Sequence, residues 1–168
     1  MSQAVLGNQK IQNYEGTSLA RLRGKALMDW LPEDREIFVS KLNHLKSYYE
    51  ELKDFESLSF QHYIQDKVAR RAVERLLQLV VEVACDINNF VLSKKGIVAE
   101  SYHDSFLKMG ETEIIGKDVA SKLARTTGLR NRIIHEYGEY KDEVVYKNIS
   151  IFIEFYGKYL KILANKVF

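Results

Sequence analysis

Residues 66–96 read DKVARRAVERLLQLVVEVACDINNFVLSKKG. Asp66 is a helix-capping residue type, and Val68, Ala72, Leu76, Leu79, Val83, Ile87 and Phe90 then recur at intervals of three and four. That is the period of an α-helix with one apolar face, so the stretch predicts a long helix that closes at Lys94-Lys95-Gly96. The flanking chain repeats the pattern. Pro32 followed by Glu33 and Asp34 is a helix start, with Pro at the first position and acids in the first turn. Phe38, Leu42, Leu45, Tyr49 and Leu52 then line one face of a helix running to about Phe55, and Ser57 to Ser59 interrupt it. Ser101 with Asp104 resembles a capping box for a short helix ending at Gly110. A further helix starts after Gly116, and Gly128 should end or kink it. From Asp142, the residues Val145, Ile149, Phe152, Tyr156, Leu160, Leu163 and Val167 make a heptad-like seam, with Gly157 placed to admit close helix contact. The expected fold is all-α: an antiparallel helical bundle of four main helices plus a short extra helix, with no strands.

Composition agrees. The chain has 168 residues, 46% of them hydrophobic, which suffices for one domain with a core. One Pro and nine Gly leave little punctuation, as a helical protein requires. Residues 1–27 differ: they hold three glycines, a polar Asn/Gln/Ser mixture and no sustained period, with a local charge of +3. They read as a poorly ordered N-terminal extension before a domain spanning 28–168. The net charge of +2 excludes a global polycation, so any nucleic-acid contact must come from a local patch. A single Cys forms no intrachain disulfide and suits a reducing compartment. Cys85 lies in an apolar run and reads as buried. His44, His62, His103 and His135 show no metal-ligand spacing, and Gly116-Lys117-Asp118 lacks the rest of a P-loop. The most apolar stretch is broken by Gln78 and Glu82, short of the roughly 20 residues that span a bilayer. A cytoplasmic, soluble protein without metal, cofactor or membrane association is expected.

One string carries chemistry: Arg130-Asn131-Arg132-Ile133-Ile134-His135-Glu136-Tyr137. Arg is a permanent, planar phosphate binder, and His titrates near neutrality. At about 100° per residue, Asn131 and His135 share a helix face and Arg130 and Tyr137 nearly eclipse. Arg130 and His135 are offset by about 140°, so they flank a helix edge and one helix makes an incomplete site. Two copies across a two-fold axis would gather two arginines and two histidines around one cleft. Glu82 and Asp86, one turn apart on the long helix, can orient Arg130 or Arg132 or tune His135. A solvated polar face explains them too. Lys117, Lys122, Arg125, Arg130 and Arg132 against Asp118 give net +4 over residues 117–132, which fits backbone contacts to RNA or ordinary surface salt bridges.

The string resembles the Arg-x4-His signature of HEPN-domain ribonucleases, and the added Tyr resembles the HepT-type toxins of bacterial toxin–antitoxin pairs. Further stretches match that family in order and spacing from about Trp30 to Leu163. They are Arg70 to Leu79 with Glu82 and Asp86-Ile87, Ser101 to Phe106, Gly128 to Asn131, and Glu143 to Tyr146. The resemblance implies a homodimeric, metal-independent ribonuclease with Arg130 and His135 catalytic, and Asn131, Arg132, Glu82 and Asp86 supporting them or binding RNA. It also implies a partner, a minimal nucleotidyltransferase antitoxin of the MntA type that transfers AMP to Tyr137. The alternative is a non-catalytic HEPN partner that binds nucleotide or presents substrate to such a transferase.

Overall fold

The computed structural model describes residues 30–135 and 142–166. The extension at 1–27 lies outside the described residues. Six helices make up the described chain: α1 (Pro32–Lys53), α2 (Phe60–Gln65), α3 (Lys67–Ser93), α4 (Tyr102–Glu111), α5 (Lys117–His135) and α6 (Asp142–Lys166). The four long ones form the bundle. Lys94 Nζ, just past α3, lies 2.6 Å from Asp34 Oδ1 near the start of α1, so these two helices run antiparallel. Arg70 meets Asp142 at the starts of α3 and α6, and Tyr159 donates to Asn88 Oδ1 further along both, so this diagonal pair is parallel.

Local chemistry sets the ends. Pro32 opens α1 with Glu33 and Asp34 in its first turn. Asp66 accepts from Val68 N at 2.9 Å and Ala69 N at 3.0 Å, capping α3. The Ala69 and Val68 amides hold the Asp66 carboxyl below its ordinary range. Ser101 Oγ accepts from Asp104 N at α4, and Asp104 in turn accepts from Glu100 N and pairs with Lys108. The six residues of α2 were not anticipated. Ser59, read as punctuation, caps this helix by accepting from His62 N, and it carries Tyr63 into the core beside Tyr146.

The seam of α6 holds as expected from Val145 to Leu163. The single apolar stripe expected on α3 does not. Of its seven positions only Leu76 and Ile87 are buried, and Val68 is 79% exposed. Val73, Leu77, Val80, Val81, Ala84, Val91 and Leu92 fill the core instead. Every other described helix packs on α3, so one narrow face is too little. The same burial explains why α3, by length and composition, is apolar enough to cross a bilayer while more than half of its most apolar window lies inside the bundle.

Gly128 neither ends nor interrupts α5, which runs on to His135. The glycine that packing demands is Gly110: a Cβ there would sit 2.7 Å from Cβ of Ala120, at the α4–α5 contact. Gly157 serves α1 in the same way, with the Tyr49 hydroxyl 2.6 Å from where its Cβ would lie. Nothing lies within 4 Å of the corresponding point at Gly128. Gly128→Ala should therefore stabilise the protein by about 0.5–1 kcal/mol through helix propensity alone. Gly110→Ala should destabilise it by about 1–2 kcal/mol, because overpacking outweighs the same propensity gain. Urea unfolding of the two variants checks the opposite signs.

Candidate active site

The last turns of α5 bury Thr126, Thr127, Leu129 and Ile133 against the bundle, and Arg130 follows Thr126 and Thr127 by four and three residues, so it shares their face. Its side chain therefore reaches α3 rather than solvent. Nε and Nη2 donate to Glu82 Oε1 at 3.2 and 2.7 Å, while Nη1 donates to Asn131 Oδ1 at 3.3 Å. The guanidinium also stands over the Tyr102 ring, 5.1 Å from its centroid. Side-chain exposure is 19% for Arg130 and 28% for Glu82, so the pair is shielded enough for Coulomb attraction to count. Among the described residues these contacts engage three of the five N–H groups of the guanidinium and leave two for an anion.

Glu82 thus pairs with Arg130. Asp86, one turn on, is exposed and makes no hydrogen bond or ion pair among the described residues. Asn131, Arg132 and His135 are exposed. The structure brings Arg130, Asn131 and Glu82 together, and leaves His135 at the rim, on the last residue of α5. Tyr137 lies outside the described residues. Among the described residues no three His, Cys, Asp or Glu side chains gather in a way that could hold a metal ion.

Tyr102 was not singled out in sequence, where it stood only as part of the Ser101–Phe106 segment. A buried network fixes it. Its carbonyl accepts from Ser105 Oγ at 2.7 Å, Asn88 Nδ2 donates to the same hydroxyl oxygen at 3.1 Å, and Tyr159 donates to Asn88 Oδ1 at 2.7 Å. Burial raises the Tyr102 phenol above its ordinary range while Arg130 pulls the other way, so the ring presents a neutral face to the cation. Cys85 sits beside this network with its thiol pushed up to about 12, chiefly by burial, and so is no nucleophile.

Comparison with known proteins narrows the reading. A family described as Ribonuclease HepT-like matches residues 45–162. A tRNA nuclease HepT from Aphanizomenon flos-aquae is 32% identical over 126 residues, covering 74% of this chain and 86% of its own. The chain belongs to the HepT-like ribonuclease family. An mRNA nuclease HepT from Shewanella oneidensis is 22% identical over 129 residues, 76% of this chain and 96% of the relative. The HepT-like fold is also that of a solved tri-AMPylated Shewanella oneidensis HEPN toxin in complex with an MNT antitoxin. That chain aligns with a TM-score of 0.69 at 21% identity, covering 76% of this chain and 96% of its own. In this HepT-like chain the matched span begins inside α1 and ends in α6, so it includes all of α3, α4 and α5.

Removing Glu82 tests the pairing. Glu82→Ala strands a shielded guanidinium and should lower unfolding free energy by about 1–3 kcal/mol. Glu82→Gln keeps an acceptor oxygen and should lose less. Equal stability of both variants and the parent in urea would mean that the pair holds nothing in place.

Proposed function

We propose that this protein is the toxin of a toxin–antitoxin pair, a cytoplasmic ribonuclease that cuts RNA without a metal ion at a cleft shared by two copies of the chain. The observation that carries the reading is Arg130, anchored by Glu82, Asn131 and Tyr102 with two N–H groups to spare, five residues before an exposed His135. Membership of a ribonuclease family supports it, and so do relatives described as tRNA and mRNA nucleases.

In the proposed reaction a neutral His135 takes the proton of a ribose 2′-OH. The 2′ oxygen attacks the adjacent phosphorus, and the bond from phosphorus to the 5′ oxygen breaks. A protonated His135 from the other subunit gives that oxygen its proton, leaving a 2′,3′-cyclic phosphate and a 5′-OH end. Arg130 donates to the non-bridging oxygens, where negative charge builds up. Arg130 faces inward and His135 outward, so two copies complete what one leaves divided. Asn131 orients the guanidinium, and Arg132 and Asp86 flank the path of the RNA. The need for a 2′-OH restricts the reaction to RNA.

Arg130→Ala and His135→Ala should each abolish cleavage and toxicity while the helical fold persists, and EDTA should leave the parent rate unchanged. Labelled RNA resolved on gels checks all three. Cleavage at the parent rate by either variant would sink the assignment.

Control would come from a nucleotidyltransferase partner that attaches AMP to Tyr137. Each added AMP brings one phosphodiester charge to a residue seven positions after Arg130, where it would compete with RNA for that cation. A Shewanella toxin of the same fold was solved AMPylated and bound to its antitoxin, which supports this reading. Tyr137→Phe should keep nuclease activity and lose neutralisation by the coexpressed transferase. Intact-mass spectra should show AMP-sized additions on the parent only, and additions that survive the substitution would move the modification elsewhere.

A further inference from the structure

The outward face of α5 carries a line that the cleavage site does not use. Lys117, Ser121, Arg125, Gly128, Arg132 and His135 succeed one another at intervals of four, four, three, four and three, which is one stripe of a helix surface. Ser121 is half-buried and the other five are exposed. At about 1.5 Å per residue the line is about 27 Å long and ends on His135. Its cations were open to two explanations in sequence, RNA contacts or surface salt bridges. Salt bridges fail as the explanation. Among the described residues Lys117, Arg125 and Arg132 have no carboxylate within ion-pair distance; Arg35, Lys41, Arg71 and Lys95 elsewhere have none either, but these three fall in one row that ends on His135. Among the described residues Arg130 is the ion-paired cation of α5, and it faces the other way. Asp118 and Lys122, one turn apart, both lie on one flank of the stripe.

We propose that this face of α5 is a track for the sugar–phosphate backbone of an RNA strand, leading it from Lys117 to the scissile bond at His135. The proposal rests on the ribonuclease reading above and adds a course for the substrate. A straight row of cations with no ion-pair partner among the described residues complements an elongated polyanion, because each phosphate it neutralises releases a counterion. Gly128, in mid-row, has no side chain and open space around it, so the strand can lie against the helix there. An acidic protein surface would meet the same charges. It would not explain why the row runs into the side chain that is to receive the ribose proton.

The test uses the full chain carrying His135→Ala, which binds RNA without cutting it. Fluorescein-labelled oligouridine is titrated at several salt concentrations, in a short form that fills only the cleavage site and a long form that spans α5. With Lys117→Gln and Arg125→Gln added, the slope of log K against log salt for the long RNA should shrink by about 1.4, two contacts at about 0.7 each for a single strand. The advantage of long over short RNA should fall several-fold. The charge-matched control is Arg35→Gln with Lys41→Gln on α1, a helix that packs on α3 and α6; it should keep both slope and advantage. An unchanged slope, or equal losses in the control, would overturn the track. So would parent-like RNA binding together with lost binding of the coexpressed transferase, which would assign the stripe to a protein. Cleavage assays on the chain with native His135 keep the two ideas apart. Cutting that depends on His135 with an unchanged slope sinks the track alone, whereas no cutting of any RNA sinks the ribonuclease reading.

Discussion

The burial of α3 on several sides constrains everything built around it. A helix at the centre of five others has little room for polar side chains, and each one inside must find a partner or destabilise the fold. Asn88 is fully buried and finds two, Ser105 on α4 and Tyr159 on α6. Glu82 sits where α5 passes and meets Arg130. The polar requirements of one helix thereby fix the relative positions of three others, and the candidate site stands where those positions meet.

Arg130 and His135 are treated differently by the fold. Arg130 is shielded, with its planar head gripped along one edge by Glu82 and supported on one face by Tyr102. An arginine held in this way has surrendered much of its rotamer freedom before any phosphate arrives, which lowers the entropy lost on binding. The acid that holds it also offsets its charge, so orientation is gained at the expense of raw attraction. His135 has an exposed position at a helix end, where the proton transfer proposed for it would be open to solvent.

Much of this was legible in the sequence, for identifiable reasons. Helix ends depend on one or two residues, so Pro32, Asp66 and the Ser101–Asp104 pair could be read directly. The seam of α6 was legible because that helix buries one face. The face of α3 was not, because a helix with neighbours on several sides loses the amphipathic contrast on which periodicity depends. The six-residue α2 lacks the length to show a period at all. At the site, spacing alone gave the Arg-x4-His pattern and its divided geometry. Tyr102 escaped notice because its contribution depends on which ring α5 crosses, which is settled only by tertiary packing.

The parallel pairing of α3 with α6 carries a consequence for the order in which the protein becomes competent. The hydroxyls of Tyr159 and Tyr156 complete the hydrogen bonding of Asn88 and Thr126, and both tyrosines belong to the last helix described. A ribosome releases α3, α4 and α5 first, while Asn88 and Thr126 still lack those partners. The seat of Tyr102, and with it the platform beneath Arg130, firms up only after α6 has emerged and closed across a gap of 71 residues to reach Asn88. A partly synthesised chain therefore has the residues of the candidate site without the full set of contacts that seat them.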